Sequence, residues 1–142
     1  MSGQDGIWTD RDAVTGRFAL NCLAYTDCIK RTVDAAKQPG FKEAGWDELA
    51  ALLDVDTFER VGNDKVAMGW EAYRGLLMKW ATTTHFWAEF HRICQVGNLV
   101  FLNLTEHNTP VGGAESVVNS LTSYEYDDAG RLVRLGIFLQ HD

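Results

Sequence analysis

The chain is 142 residues long and 46% hydrophobic, enough for one core and short for two domains of ordinary size, so a single domain over residues 1–142 is expected. Thirteen basic residues against twenty acidic ones give a formal net charge of -7, a field that repels nucleic-acid phosphates and anionic lipid headgroups and makes both poor partners. No apolar run nears the ~20 residues that span a bilayer, and the polar start MSGQDGIWTDRD lacks the basic flank and apolar centre of a signal peptide, so a cytoplasmic location away from membranes is expected.

Residues 1–11 read as a loose N-terminal arm. From Phe18 the apolar positions Phe18, Cys22, Tyr25, Ile29, Val33 and Ala36 recur every three or four residues, which predicts one face of a helix that Pro39 and Gly40 end. Asp27 and Asp34 fall roughly opposite that stripe, on a solvated face with Lys30 and Arg31. Cys22, Cys28 and Cys94 are odd in number and lack CxxC spacing, which speaks for reduced, buried thiols rather than a disulfide framework or zinc knuckle. In WDELAALL, Trp46, Leu49, Ala50 and Leu53 share one side of a short second helix whose first turn holds Asp47 and Glu48. DTFERVG reads as a short strand, and Trp70, Tyr73, Leu77 and Trp80 mark a third amphipathic helix, introduced by Gly69 and closed by threonines 82–84.

From His85 onward the texture changes to strands and tight turns. HFWAEFHRICQV stops at Gly97-Asn98, LVFLNLTEH at NTPVGG, and SVVNSLTSYEY at Asp127-Asp128-Ala129-Gly130, after which RLVRLGIFLQ runs nearly to the end. Such short connections predict antiparallel pairing, and helices in front with strands behind indicate an α+β fold. In the first long strand His85, Trp87, Glu89 and His91 share one face and Phe86, Ala88, Phe90 and Arg92 the other. Both faces carry aromatics, which suits a sheet covered by its own helices on one side and by a second subunit on the other, a homodimer through the sheet. Alternation alone does not say which face is the pocket.

The pieces GWEAYRGLL and YEYDDAGRLVRLGIFLQ, within this order of three helices, a short strand and a four-strand meander, resemble the nuclear-transport-factor-like superfamily over about residues 12–140. That superfamily includes SnoaL-like polyketide cyclases, ketosteroid isomerases, limonene-epoxide hydrolases and scytalone dehydratases. The resemblance implies a cone-shaped, cystatin-like fold in which three N-terminal helices pack on a strongly curved, mainly antiparallel sheet around an apolar funnel. Where limonene-epoxide hydrolases carry Tyr-x-Asn on the short strand, an Arg and Asp in mid-sheet and a final Asp, this chain has Phe58 and Arg60, His107 and Thr109, and Ile137, so epoxide hydrolysis is not expected. TTTHFW is similar to the context of the first scytalone dehydratase histidine, which puts His85 there and His107 near the second. Ketosteroid isomerases would place a base near Glu59 and an acidic donor near Thr122.

Among these residues His85 is the first candidate for proton transfer, since imidazole titrates near neutrality. His91 lies about 20 Å further along at ~3.3 Å per residue, too far to share one small substrate. Glu106 and His107 are strand neighbours and face opposite sides unless a bulge intervenes, and the match of LTEH to the family favours His107 as the inward one. Glu59 is the candidate carboxylate base, because an acid in an apolar funnel has its pKa raised. Tyr25, on the core stripe of the first helix, would lend its hydroxyl to a substrate oxygen. Phe58, Arg60, Trp80, Trp87, Thr122 and Ile137 would line the substrate. With no metal-ligand spacing and no phosphate loop, no cofactor and no metal are expected. The reading is a cofactor-independent isomerase, cyclase or dehydratase for a small apolar carbonyl or polycyclic compound. Its alternative is a ligand-binding or dimeric assembly protein on the same fold.

Overall fold

In the computed structural model, which describes residues 4–141, the apolar stripe of the first helix becomes α1 (Arg17–Ala35), with Cys22, Tyr25, Ile29 and Val33 buried. The second helix is shorter than its pattern suggests. It is a single turn, α2 (Asp47–Ala50), continuing a 3-10 turn over Glu43–Trp46, and it lays Trp46 and Leu49 wholly inside the core. The third, α3 (Trp70–Ala81), buries Trp70, Tyr73, Leu77 and Ala81. No helix among the described residues is long and apolar enough to cross a membrane. The three cysteines are free thiols, Cys22 and Cys28 buried and Cys94 partly so.

The strands are β1 (Gly6–Trp8), β2 (Glu59–Val61), β3 (Ala67–Met68), β4 (Thr84–Val96), β5 (Leu99–Pro110), β6 (Ser116–Tyr126) and β7 (Leu132–Gln140). They form one sheet in the order β1-β4-β5-β6-β7-β2-β3, antiparallel throughout except where β2 runs parallel to β7. The helices gather against one face of this sheet, giving the expected α+β architecture. Residues 6–8, expected within a loose arm, instead extend the sheet as β1, pairing Gly6 with Gln95 and Trp8 with Ile93. Gly97, at φ 59°, begins the two-residue β4–β5 connection with a left-handed backbone that glycine adopts without strain.

β4 does not alternate uniformly. Phe90 pairs with Leu104 but Arg92 with Asn103, so His91 is an extra, bulged residue. The inward set therefore switches from Thr84, Phe86, Ala88 and Phe90 before the bulge to Ile93 and Gln95 after it. Gln95, 2% exposed, uses the switch to fix α1 to the sheet. The N-cap of α1 is Gly16, which has no capping side chain, and Gln95 Oε1 accepts hydrogen bonds from Phe18 N and Ala19 N, both at 2.9 Å. A β-carbon at position 16 would collide with that oxygen, so glycine is needed there. Gln95→Leu should cost about 2–4 kcal/mol by leaving two buried N–H groups unpaired, read as a lowered urea midpoint with an unchanged m-value; a loss under about 0.5 kcal/mol, ordinary for an uninvolved position, would refute the capping role.

Candidate functional site

Between α1, α3 and the concave face of the sheet lies a cavity of about 620 Å³. Alternation along β5 continues the buried side of Val100 and Leu102 through Leu104 to Glu106 and Asn108, and along β6 it brings Val118, Thr122 and Tyr124 to the same face. β7 contributes Leu135, Ile137 and Leu139, and α1 and α3 contribute Tyr25, Tyr73 and Trp80. Trp80 Nε1 donates to Asn108 Oδ1 at 3.0 Å, and its ring meets Phe86 edge-on at 5.1 Å, which fixes that wall. The enclosure is mostly apolar, with a few polar groups turned into it, the usual composition of a small-molecule site.

Glu106 is the chemically distinctive group among these. Burial pushes its carboxyl above the ordinary carboxylate range, the Ser120 hydroxyl beside it working the other way. In the same cavity the hydroxyls of Tyr25 and Tyr73 meet at 2.6 Å, and burial raises the pKa of both, so both keep their protons at neutral pH. When one hydroxyl donates to the other, the acceptor's own O–H is left to serve a third oxygen. Tyr73 feels charges of both signs: the Arg60 guanidinium, centred 5.8 Å from its ring, and more weakly the Glu106 carboxylate. A carboxyl that burial holds above its ordinary range, in the same cavity as a spare hydroxyl donor, is equipment for general acid–base chemistry.

Of the residues singled out from sequence, Tyr25, Arg60, Trp80, Thr122 and Ile137 line this cavity. His85 does not: before the bulge the even-numbered side of β4 is the inner one, and His85 stands exposed on the outer face opposite Thr109. Glu59 also points out of the fold, half exposed and 3.6 Å from Arg134, because its strand neighbour Arg60 takes the inward position. His107 lies on the outer face for the same reason, since Glu106 takes the inward one. There its ring stacks on Trp87 at 3.9 Å, with Nε2 2.7 Å from Glu89 Oε2 and Nδ1 3.3 Å from Glu115 Oε1. The hydrogen bond to Glu89 leads the effects that raise its pKa, so this is a charge-stabilised surface triad. Trp87 borders the cavity along its strand, but its ring is committed to that outer stack. Phe58 is core, 2% exposed and stacked on Tyr73 at 5.7 Å. His91, in the bulge, bonds Thr105 Oγ1 at 2.6 Å. Asp27 sits at the cavity mouth, in an ion pair with Arg11 at 2.6 Å. Among the described residues no group of three or more His, Cys, Asp or Glu is placed to hold a metal.

No family model matches the sequence, and no curated protein does either. Solved structures do match by fold. A SnoaL-like polyketide cyclase from Agrobacterium tumefaciens is 19% identical, with a TM-score of 0.65 over 87% of this chain and 91% of its own. An LEH-like epoxide hydrolase of M. tuberculosis is 20% identical, with a TM-score of 0.58 over 80% and 84%. An NTF2-like protein of unknown function from Exiguobacterium is 14% identical, with a TM-score of 0.62 over 83% and 99%. At these identities the likeness is one of fold.

Proposed function

We propose that this chain, whose fold is that of the SnoaL-like, nuclear-transport-factor-like superfamily, is an acid–base enzyme that isomerises, cyclises or dehydrates a small apolar carbonyl compound. One observation carries the proposal: Glu106, a carboxyl with a raised pKa, faces the same apolar cavity as the Tyr25–Tyr73 hydroxyl pair. As carboxylate, Glu106 takes a proton from the carbon next to the substrate carbonyl. The electron pair of that C–H bond moves onto the carbonyl oxygen, where the spare tyrosine O–H stabilises the enolate by donating a hydrogen bond. The protonated Glu106 then returns its proton at another carbon, giving an isomer, or to a departing β-hydroxyl, giving water and an alkene. Alternatively the enolate carbon attacks a second carbonyl and closes a ring, and the oxygen of that carbonyl, taking the electron pair of its broken C=O π bond, receives the proton from Glu106. These steps require only the side chains named. Epoxide hydrolysis forms no part of the proposal: the cavity has Ile137 where limonene-epoxide hydrolases keep their final aspartate.

The test needs no knowledge of the natural substrate. 2-Tetralone in D₂O, followed by proton NMR, should exchange its α-protons faster with the protein than in buffer, with a rate that follows the titration of one carboxyl. No acceleration would sink the catalytic reading. A second reading, a protein that holds its ligand without reacting it, is favoured by Thr122 and Ile137, which offer the cavity no titratable group where relatives keep acids. Binding of 2-tetralone without exchange would select it.

We also propose that the outer sheet face pairs with a second copy of the chain. Trp87, Leu121 and Phe138 are 47%, 49% and 63% exposed on it, and Leu121 and Phe138 are direct cross-strand neighbours.

A further inference from the structure

The cavity contains a cation as well as a carboxyl. Arg60 follows Glu59 on β2, and alternation turns it inward while Glu59 reaches out to Arg134. Its Nε is shut off from solvent and meets no acceptor. Among the described residues no carboxylate forms an ion pair with it, although the chain has twenty acidic residues. The other cations around the cavity are matched, Arg11 by Asp27 at 2.6 Å and Lys30 by Asp34 at 2.8 Å. A partly buried guanidinium with no anion beside it is costly to keep. The backbone nonetheless makes room for it: a β-carbon on Gly62 would come within 2.8 Å of Arg60 Nη1.

We propose that Arg60 anchors the negatively charged end of the substrate, so that the cavity takes an organic anion with an extended apolar body, a carboxylate being the simplest case. This inference rests on the reading of the cavity as a substrate site. A guanidinium presents parallel N–H donors that match the two oxygens of a carboxylate, and its planar charge is less tightly hydrated than an ammonium. β2 and β5 are separated by β6 and β7, and the pairing sets Arg60 level with Leu135, Tyr124 and Val100, so Glu106 stands three strands across and six residues further along β5. The space between them is walled by Val118, Leu135 and Ile137. An anion drawn to Arg60 and repelled by Glu106 can enter in one direction only. Its apolar body then runs towards β5 and Glu106, past the tyrosine pair, whose Tyr73 ring lies 5.8 Å from the guanidinium. Arg60 is thus a specificity residue: it selects the charge of the molecule and sets which end of it reaches Glu106.

The experiment compares naphthalene-2-carboxylate with its uncharged isostere naphthalene-2-carboxamide by calorimetric titration at pH 7.5. Wild type should bind the carboxylate at least tenfold more tightly than the amide. Arg60→Met, which keeps an unbranched apolar stem, should bind the two equally. Gly62→Ala, which displaces the guanidinium without removing it, should weaken the carboxylate more than the amide and carries the comparison if Arg60→Met fails to fold. Glu106→Gln should keep the preference. Equal binding by wild type, no binding of either probe, or a tenfold preference surviving in Arg60→Met would each overturn the inference. If the charge preference holds while wild type exchanges no α-protons, the acid–base reading falls and the anion anchor stands.

Discussion

Glu106→Gln should slow α-proton exchange in 2-tetralone by ~10²–10⁴-fold, the usual worth of a positioned acid–base group, and should also make the protein harder to unfold above neutral pH. The two effects have one cause. Burial holds the Glu106 carboxyl above the ordinary carboxylate range in the folded chain, while in the unfolded chain it titrates within that range. Between those two points the folded state retains a proton that the unfolded state has released. Stability therefore falls as pH rises through that window, and the full penalty is in force above the folded pKa. Glutamine keeps the shape and cannot ionise, so it removes the penalty. Calorimetric melting from pH 4 to 9 should give a variant whose advantage over wild type is near zero at the acid end and grows through the window, each kcal/mol regained being worth ~2–4 °C. A variant that is as active as wild type would remove Glu106 from the mechanism. A variant that is less stable at high pH would show that the carboxylate is held by hydrogen bonds rather than strained by burial.

That carboxylate was legible in the sequence, though a stronger-looking signal concealed it. In LVFLNLTEH the buried side of the strand is set by Val100, Leu102 and Leu104, and two more residues along the same side is Glu106. Following the apolar register selects Glu106, whereas following the likeness of LTEH to a family motif selects His107 and the wrong face. The same holds at β2, where Phe58 is buried, Arg60 shares its parity and Glu59 does not. Helices α1 and α3 could be read from their stripes because one face of each is buried against the sheet. The sheet order could not be read in full. β1 is three residues long, and β3 is two, too short for any periodicity to show, and both exist because neighbouring strands offer them a free edge. The β4 bulge at His91 has no local composition signal, yet it decides that Gln95 faces inward to cap α1. The Tyr25–Tyr73 bond joins residues 48 apart on two helices, and only their packing brings the hydroxyls together.

The double substitution Leu121→Glu, Phe138→Glu should convert a dimer into a monomer. The two side chains are paired across β6 and β7 on the outer face, both about half exposed or more, so in the isolated chain neither supports the core. In a dimer formed by two such faces each substitution would bring two carboxylates into the interface, one per subunit, in a chain already at a net charge of -7. Substituting a central apolar anchor typically costs 2 kcal/mol or more, so the pair should weaken association by roughly a thousandfold or beyond. Sedimentation velocity at tens of micromolar should show wild type as a dimer and the variant as a monomer, with melting of the variant monomer little affected by the two exposed changes themselves. A monomeric wild type at that concentration would refute the pairing. The cavity offers a second readout, because Glu106, Tyr25 and Tyr73 face it from the side of the sheet opposite Leu121 and Phe138. The monomeric variant should therefore retain the α-proton exchange rate per site. If exchange were lost on dissociation, the outer face would be shown to brace β4 to β7 against the helices, and the partner would count as a part of the site's rigidity.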